Sequence, residues 1–270
     1  MRRVFTLVRG MYAAASGALV AQSAVDTIAN NLANVNTAGF KRTLLQVQAQ
    51  PQRELFRFQT DPGRSANART AGVPAQARIG ALGTGAQIYD TPADYGQGTI
   101  AATGNDLDVA LSGPGFFAIR AGNGAVRYTR DGAFVRDQNG FLTAQNGDRV
   151  LGQGGAPVAL PASGKVEIGR DGAISVDGRP YDRLNVVEFA NPANLRPEGS
   201  NRFIDVGAGA RAATNTTALQ GSLEKSNADV VRSMVDLISM QRWFDANEKS
   251  IQTQDDAVGV AVQTVGRTNA

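Results

Sequence analysis

The sequence contains no cysteine and no histidine among its 270 residues. The absence of cysteine excludes a disulfide framework and a thiolate metal site. The absence of histidine removes the commonest general base, the commonest zinc ligand and every catalytic arrangement that pairs His with Ser or Cys. We therefore expect a protein that is not an enzyme, with no catalytic residues, no cofactor and no metal.

Long apolar runs are also missing, since no run approaches the roughly 20 residues that span a bilayer. Met1-Arg2-Arg3 followed by the apolar stretch 4–8 resembles a secretory signal, but Arg9-Gly10 interrupts it. The apolar part of a signal peptide needs about 7–15 residues. We expect this stretch to be retained as helix, and export to proceed without a cleaved signal. The net charge of +3 includes no basic run with interleaved aromatics, so nucleic acid is not an expected partner.

Glycine is concentrated in the middle of the chain, since most of the 31 glycines lie between Gly72 and Gly221. Pairs of the type Asn-Gly or Asp-Gly supply the positive φ angles of tight hairpin turns. We predict an antiparallel all-β domain over residues 79–222, a barrel or sandwich, after an extended connector over residues 41–78. The turn pairs are Asn123-Gly124, Asp131-Gly132, Asn139-Gly140, Asn146-Gly147, Asp171-Gly172 and Asp177-Gly178.

Both ends of the chain carry helical spacing. A 4-3 pattern of apolar residues runs from Val4 to Leu32, and from Leu223 every seventh residue is apolar as far as Val265. Such spacing places apolar side chains on one seam that needs a partner helix. We predict an N-terminal helix within residues 1–40 and a C-terminal helix within 223–270, with Ser226 or Asn227 as its N-cap.

The second row of the C-terminal seam is expected four residues beyond the first. That row is half polar, which argues against a two-stranded zipper and favours a ring or tube of helices partly facing water. It consists of Asn227, Met234, Gln241, Glu248, Asp255 and Val262. The ends carry mildly opposite net charge, which supports their pairing.

The predicted fold class is therefore α+β, with paired, coiled-coil-like terminal helices and a central β domain. The residues expected to form the assembly interface, within one chain or between copies, are Met11, Ala18, Val25, Ile28, Leu32, Asn34, Asn36, Phe40, Leu223, Val230, Leu237, Phe244, Ile251 and Val258.

Four sequence blocks resemble the bacterial flagellar basal-body rod and hook proteins. The first combines residues 11–17 (MYAAASG) with 28–42 (IANNLANVNTAGFKR), and the second runs from Gly83-Thr84-Gly85 to Ala110. The third contains Gly115-Phe116-Phe117, residues 128–132 (YTRDG) and residues 137–142. The fourth contains Leu223-Glu224, Ser226-Asn227, residues 240–242 and residues 246–247.

Within that family the chain is most similar to rod proteins, because a hook protein carries a further outer domain for which there is no room. Gly83-Thr84-Gly85 is similar to the distal rod form, whereas residues 183–189 with Asn191-Pro192 are closer to the proximal one; the distal form is slightly favoured. The resemblance implies a structural subunit of the hollow drive shaft in the basal body, outside the cytoplasm. Its expected partners are copies of itself, neighbouring rod and hook proteins and, during secretion, the flagellar export apparatus.

Three alternatives remain at this point. One is a hook-type axial protein. Another is a polysaccharide-cleaving hydrolase with helical oligomerisation ends, which would need two carboxylates at a defined separation, and the sequence nominates no such pair. The last is a secreted adhesive β module, which should function without its terminal helices.

Overall fold

A computed structural model describes residues 2–51, 53–57, 77–83 and 85–267. Along the chain, helix α1 (Arg2–Ala33) precedes a series of strands and helix α2 (Val230–Arg267) follows them. The strand pairs described are antiparallel. The predicted α+β class, with a helix at each end and β structure between them, is confirmed. In the part of the chain that the structure describes, neither helix is long and apolar enough to cross a membrane.

The strands are short, and most are joined by tight turns. They are β1 (Gln46–Ala49), β2 (Arg53–Arg57), β3 (Ala77–Leu82), β4 (Ala86–Asp90), β5 (Ile100–Ala102), β6 (Val109–Ser112), β7 (Phe116–Arg120), β8 (Val126–Thr129), β9 (Phe134–Arg136) and β10 (Leu142–Ala144). They continue with β11 (Arg149–Val150), β12 (Val166–Ile168), β13 (Ala173–Val176), β14 (Arg179–Arg183), β15 (Val186–Phe189), β16 (Leu195–Gly199), β17 (Arg202–Asp205), β18 (Ala210–Ala212), β19 (Thr217–Gln220) and β20 (Ser222–Glu224). A 3-10 turn occupies Pro192–Asn194.

The chain divides into two compact units. The first comprises residues 1–26, 45–90 and 236–270, and the second comprises residues 27–44 and 91–235. In the first unit β1 pairs with β4 and β2 pairs with β3. These strands contain most of the described part of the predicted connector, whereas its residues 52 and 58–76 lie outside the described residues, as does Thr84 of the Gly83-Thr84-Gly85 motif.

The second unit is built around strand β7, which separates two apolar clusters. Phe117 and Ile119 lie in one cluster with Phe134 and Leu142, while Phe116 lies in the other. Side chains alternate between the faces of a strand, so one strand serves both clusters. The second cluster gathers Ala93, Phe116, Val187, Phe189, Leu195, Phe203 and Ala208.

Five of the six predicted turn pairs lie in hairpin turns between successive strands. At Asp177-Gly178, between β13 and β14, both residues have positive φ (49° and 75°), as a two-residue hairpin of type I′ requires. Asp131-Gly132 differs, because β8 and β9 do not pair with each other among the described strands. A Cβ on Gly132 would lie 1.7 Å from the carbonyl oxygen of Val109, so glycine permits a close backbone approach there.

Helix α2 begins later than predicted. Its N-cap is Asp229, whose Oδ1 accepts a hydrogen bond from Arg232 N at 2.8 Å. The prediction of Ser226 or Asn227 was wrong, because the Asn227 carboxamide is committed to the backbone of Arg42. Leu223, predicted as the first residue of the helical seam, lies instead on β20.

The second row of the α2 seam lies three residues beyond the first, not four. Leu237, Phe244, Ile251 and Val258 are half-buried as one row, and Met240, Asn247 and Gln254 are half-buried as the other. The predicted second-row residues on the helix, Met234, Gln241, Glu248, Asp255 and Val262, are exposed.

The row of buried residues on α1 also differs from the predicted seam, because it lies one position nearer the N-terminus. Ala14, Gly17, Ala21 and Ala24 are buried, whereas Ala15 of the predicted row is exposed. Val20 is buried as well, but the row Ala14, Gly17, Ala21 and Ala24 consists of very small residues, which allow a partner helix to approach closely.

Candidate functional site: the junction of the chain ends with the strands

The Asn-rich segment that follows α1 is held in one shape by its own side chains. Asn31 Nδ2 donates to the carbonyl oxygen of Thr43 and Asn31 Oδ1 accepts from Thr43 N, both at 2.8 Å. Asn34 Nδ2 donates to Asn30 O at 2.9 Å, and Thr37 Oγ1 donates to Asn34 Oδ1 at 3.2 Å. Asn side chains end helices in this way, by bonding nearby backbone groups.

Gly39 brings this segment against the strands of the second unit. Its φ is 65°, and its N–H donates to the carbonyl oxygen of Glu224 at 2.8 Å. A Cβ atom there would lie 2.3 Å from Asp131 N. Only glycine accommodates both the positive φ and this approach.

Three charged side chains meet beside Gly39 in a buried cluster, the charged triad of Lys41, Arg130 and Glu224. Lys41 Nζ lies 2.5 Å from Glu224 Oε1, and both side chains are fully buried. Arg130 Nη1 donates to Glu224 Oε2 at 3.2 Å, and Nη2 donates to Gly113 O at 2.7 Å. The guanidinium stacks 4.7 Å from the ring centre of Phe116.

One carboxylate compensates two buried cations in the charged triad. Burial lowers the pKa of Lys41, an effect that the adjacent Glu224 opposes, and burial likewise lowers the pKa of Arg130. Glu224 Oε1 also accepts a hydrogen bond from Gly98 N at 2.8 Å, and Lys41 Nζ donates to Gly96 O at 2.8 Å. The cluster is therefore built to hold chain segments together.

A second set of contacts holds the segment that leads into α2. Asn227 Oδ1 accepts from Arg42 N and Asn227 Nδ2 donates to Asp94 O, each at 2.8 Å. Arg42 Nε donates to Asp94 Oδ2 at 2.9 Å. The hydrogen bond from the Gly96 N–H, followed by the contact with Arg42, lowers the pKa of Asp94. The segment leaving α1 and the segment entering α2 are thereby joined to one loop.

The sequence did not single out the charged triad as a site. Lys41, Arg130 and Glu224 each lie within one of the blocks that carry the family resemblance, and that was the available signal. Among the described residues, no group of three or more Asp and Glu side chains is placed to hold a metal ion. The arrangement supports mechanical cohesion of the chain.

The predicted interface residues lie along both helices and the junction. Asn36 and Val230 are exposed. Half-buried are Met11, Ala18, Val25, Ile28, Leu32, Asn34, Phe40, Leu223, Leu237, Phe244, Ile251 and Val258. Val25 and Phe244 come together in the first unit, where they line an open groove of about 400 Å³.

Large apolar side chains remain exposed along the terminal helices. On α1 these are Tyr12 (68% exposed) and Leu19 (67%), seven residues apart. On α2 they are Val230, Val231, Met234, Val235, Ile238, Trp243, Val260 and Val262. A single copy of the chain leaves these surfaces in water.

Comparison with known families places each member of the charged triad in a different matched segment. The model described as "Flagella basal body rod protein" matches residues 11–41. "Flagellar hook protein FlgE/F/G D1 domain" matches residues 110–176, and "Flagellar basal body rod FlgEFG protein C-terminal" matches residues 219–264. Together with the terminal helices and the strands between them, these matches define an axial structural protein of the bacterial flagellum.

Whole-chain relatives agree. The flagellar basal-body rod protein FlgG of Bacillus subtilis is 34% identical over 93% of this chain and 96% of that protein. FlgG of Borreliella burgdorferi is 33% identical over 94% of this chain and 98% of its own length. FlgF of Caulobacter vibrioides is 30% identical over 96% of this chain and 98% of its own. The chain belongs to the flagellar basal-body rod protein family.

Proposed function

We propose that this chain is a structural subunit of the flagellar basal-body rod and polymerises helically into a hollow shaft that transmits torque from motor to hook. In this proposal the terminal helices pair in a coiled-coil-like manner and line the channel. Its partners are further copies of itself, neighbouring rod and hook proteins and, during secretion, the export apparatus. The relatives' names, which include rod proteins and a hook-basal body complex protein, support this.

The observation that carries the proposal is the exposed apolar surface of α1 and α2. Val231 is 73% exposed, and Leu19 is 67% exposed. Removing apolar surface from water contributes roughly 25 cal/mol per Å², part of which is offset by the freedom that the copies lose on association. Extended exposed apolar surface marks an interaction site. Neighbouring copies would cover this surface and complete the burial of the half-buried interface residues, including Leu237, Phe244 and Ile251.

We test the assembly surface with two substitutions that introduce the same charge on α2. Ile238→Glu places a carboxylate on an exposed apolar position, and Gln252→Glu places one on an exposed polar position. Neither buries a charge in a single chain, so both variants should keep the parent's circular dichroism spectrum. We expect Ile238→Glu to abolish rods in purified basal bodies and motility, and Gln252→Glu to retain both. Normal rods with Ile238→Glu would contradict the proposal.

Within the rod we place the chain in the distal segment, because of the block Gly83-Thr84-Gly85. Electron microscopy of basal bodies carrying gold-labelled copies tests this placement. Label adjacent to the hook would support it, and label adjacent to the cytoplasmic membrane would assign the chain to the proximal segment instead.

A further inference from the structure

The two terminal helices contact each other where α1 carries glycine. A Cβ atom on Gly10 would lie 2.5 Å from Gln254 Oε1, and one on Gly17 would lie 3.0 Å from Asn247 Oδ1. The glycines are seven residues apart, and so are the two amide side chains, but in the opposite chain direction. The two helices therefore run antiparallel in the first unit. The side-chain carboxamides of Gln254 and Asn247 pack against the backbone of Gly10 and Gly17.

The same stripe continues on both helices. Ala24, seven residues after Gly17, is buried on α1, and Met240, seven residues before Asn247, is half-buried on α2. Gly10 and Gly17 are the only glycines in α1. At two successive heptad positions, a glycine of α1 is thus matched with a polar amide of α2. At the next position, an alanine of α1 is matched with a methionine of α2.

Both carboxamides are held along their own helix. Gln254 Nε2 donates to Ser250 Oγ at 3.1 Å, and Asn247 Nδ2 donates to Trp243 O at 2.9 Å. Gln254 Oε1 is buried, and it accepts no hydrogen bond from the described part of the chain. A buried acceptor without a partner lowers stability. In coiled coils, a polar residue in the seam specifies alignment at such a cost.

We propose that Gly10 and Gly17 are register-setting residues that fix the antiparallel alignment of α1 and α2 by receiving the carboxamides of Gln254 and Asn247. A slip of seven residues in one direction would place Asn247 against Ala24. A slip in the other direction would place Gln254 against Arg3. Each slip sets one amide against a residue that carries a Cβ atom, so only the observed alignment gives both amides a glycine.

The alignment matters for assembly, and in this respect the inference rests on the proposed function. A slip of one heptad moves one helix along the other by about 10 Å. The exposed apolar residues Leu19 and Ile238 would then be displaced relative to each other, and neighbouring copies would meet a different surface. Register setting would thus give every copy the same contact surface.

The absence of native cysteine allows a distance measurement in the full-length soluble chain. Spin labels are attached at Gln22→Cys and Asp256→Cys, both exposed positions of the first unit, and their separation is measured by pulsed electron paramagnetic resonance. We expect one narrow distance in the parent. Gly17→Asn should broaden the distribution or shift it by about 10 Å, since each residue rises 1.5 Å.

An exchange of partners distinguishes register setting from a general effect on the helix. Gly17→Asn combined with Asn247→Gly moves the amide to α1 and the glycine to α2, and should restore the narrow parental distance. The control Ala13→Asn adds the same side chain to an exposed position of α1 and should leave the distance unchanged. Asn is a better helix former than Gly, so lower helix propensity does not account for a loss of alignment in Gly17→Asn.

The possible results separate the two proposals. A broad distribution in the parent, a parental distance in Gly17→Asn, or no restoration in the exchanged variant would each overturn register setting. Polymerisation of the same labelled parent is followed in parallel. A narrow, Gly17-dependent distance in a chain that forms no polymer would refute the proposed function while leaving the register assignment intact.

Discussion

Glu224 is the residue on which the junction depends most. Its carboxylate contacts Lys41 and Arg130 and accepts a hydrogen bond from Gly98 N. Removing one partner of a buried ion pair is far more damaging than removing a surface pair, because a charge is left buried without compensation. Here two cations would lose their counter-charge together.

Glu224→Gln should therefore lower the free energy of unfolding by about 3–5 kcal/mol. The measurement is urea denaturation followed by circular dichroism. Glu198→Gln is the matched control, because Glu198 forms a partly exposed pair with Arg127, and it should cause a much smaller loss. Equal losses of unfolding free energy in the two variants would show that the buried charged triad stabilises the protein no more than the partly exposed pair does.

The carboxylate of Glu188 makes the stability of the β region depend on pH in the acid range. Burial raises the pKa of this carboxyl, but hydrogen bonds from the Thr216 hydroxyl and from the N–H groups of Asn215 and Thr214 together lower it below its ordinary value of 4.5. Because the folded pKa lies below the unfolded one, the carboxylate stabilises the fold above pH 4.5, and this contribution disappears as pH falls through the folded pKa.

We expect Glu188→Gln to be less stable than the parent at pH 7 and to lose less stability between roughly pH 5 and pH 3. Unfolding free energies measured by urea denaturation across this range provide the test. Thr216→Val, which removes one donor, should give an intermediate profile. An acid profile of Glu188→Gln parallel to that of the parent would exclude this carboxylate as the source.

Residue-level contacts of this kind were the least predictable part of the molecule. Lys41 and Glu224 are separated by 183 positions, and Arg130 and Glu224 by 94. Charged residues are usually exposed, and local patterns do not show which of them become buried together. The hairpin turns were predictable, because Asn-Gly and Asp-Gly pairs determine backbone conformation over two residues.

At the scale of elements, Gly39 controls how the chain leaves α1. Gly39→Ala should destabilise the protein by more than about 1 kcal/mol, because alanine disfavours positive φ and its Cβ would meet the backbone at Asp131. Gly122→Ala is the control, since a Cβ there meets open space. Thermal unfolding of the two variants measures the difference, and an unperturbed Gly39→Ala would contradict the close approach.

The two terminal helices show which structural features could be predicted from the sequence of one helix and which could not. Seven-residue spacing correctly predicted two terminal helices and the row from Leu237 to Val258 on α2. The predicted second row was wrong because both candidate rows of α2 contain polar residues, so the sequence does not show that Asn247 and Gln254 are half-buried while Glu248 and Asp255 are exposed. The burial of Asn247 and Gln254 depends on Gly17 and Gly10, which lie on the other helix, so the pattern of α2 alone does not contain it.

At the scale of the whole molecule, the hydrogen-bonded junction and the terminal helices with their exposed apolar side chains have different roles. The junction joins residues 30–43, the loop at 94–98 and the segment that leads into α2 by contacts within one copy. The helices instead leave apolar surface uncovered. A folded junction with incomplete helical burial is what a subunit needs if its own copies are to complete the structure.

The location of the terminal helices in the assembled rod would show whether their exposed apolar side chains form the contacts between copies. An electron cryo-microscopy reconstruction of basal bodies that contain this chain would show the path of α1 and α2 in each subunit. We expect both helices to line the central channel and to contact neighbouring copies through Leu19, Val231 and Ile238. Helices lying on the outer surface of the shaft, with these side chains still in solvent, would contradict this expectation.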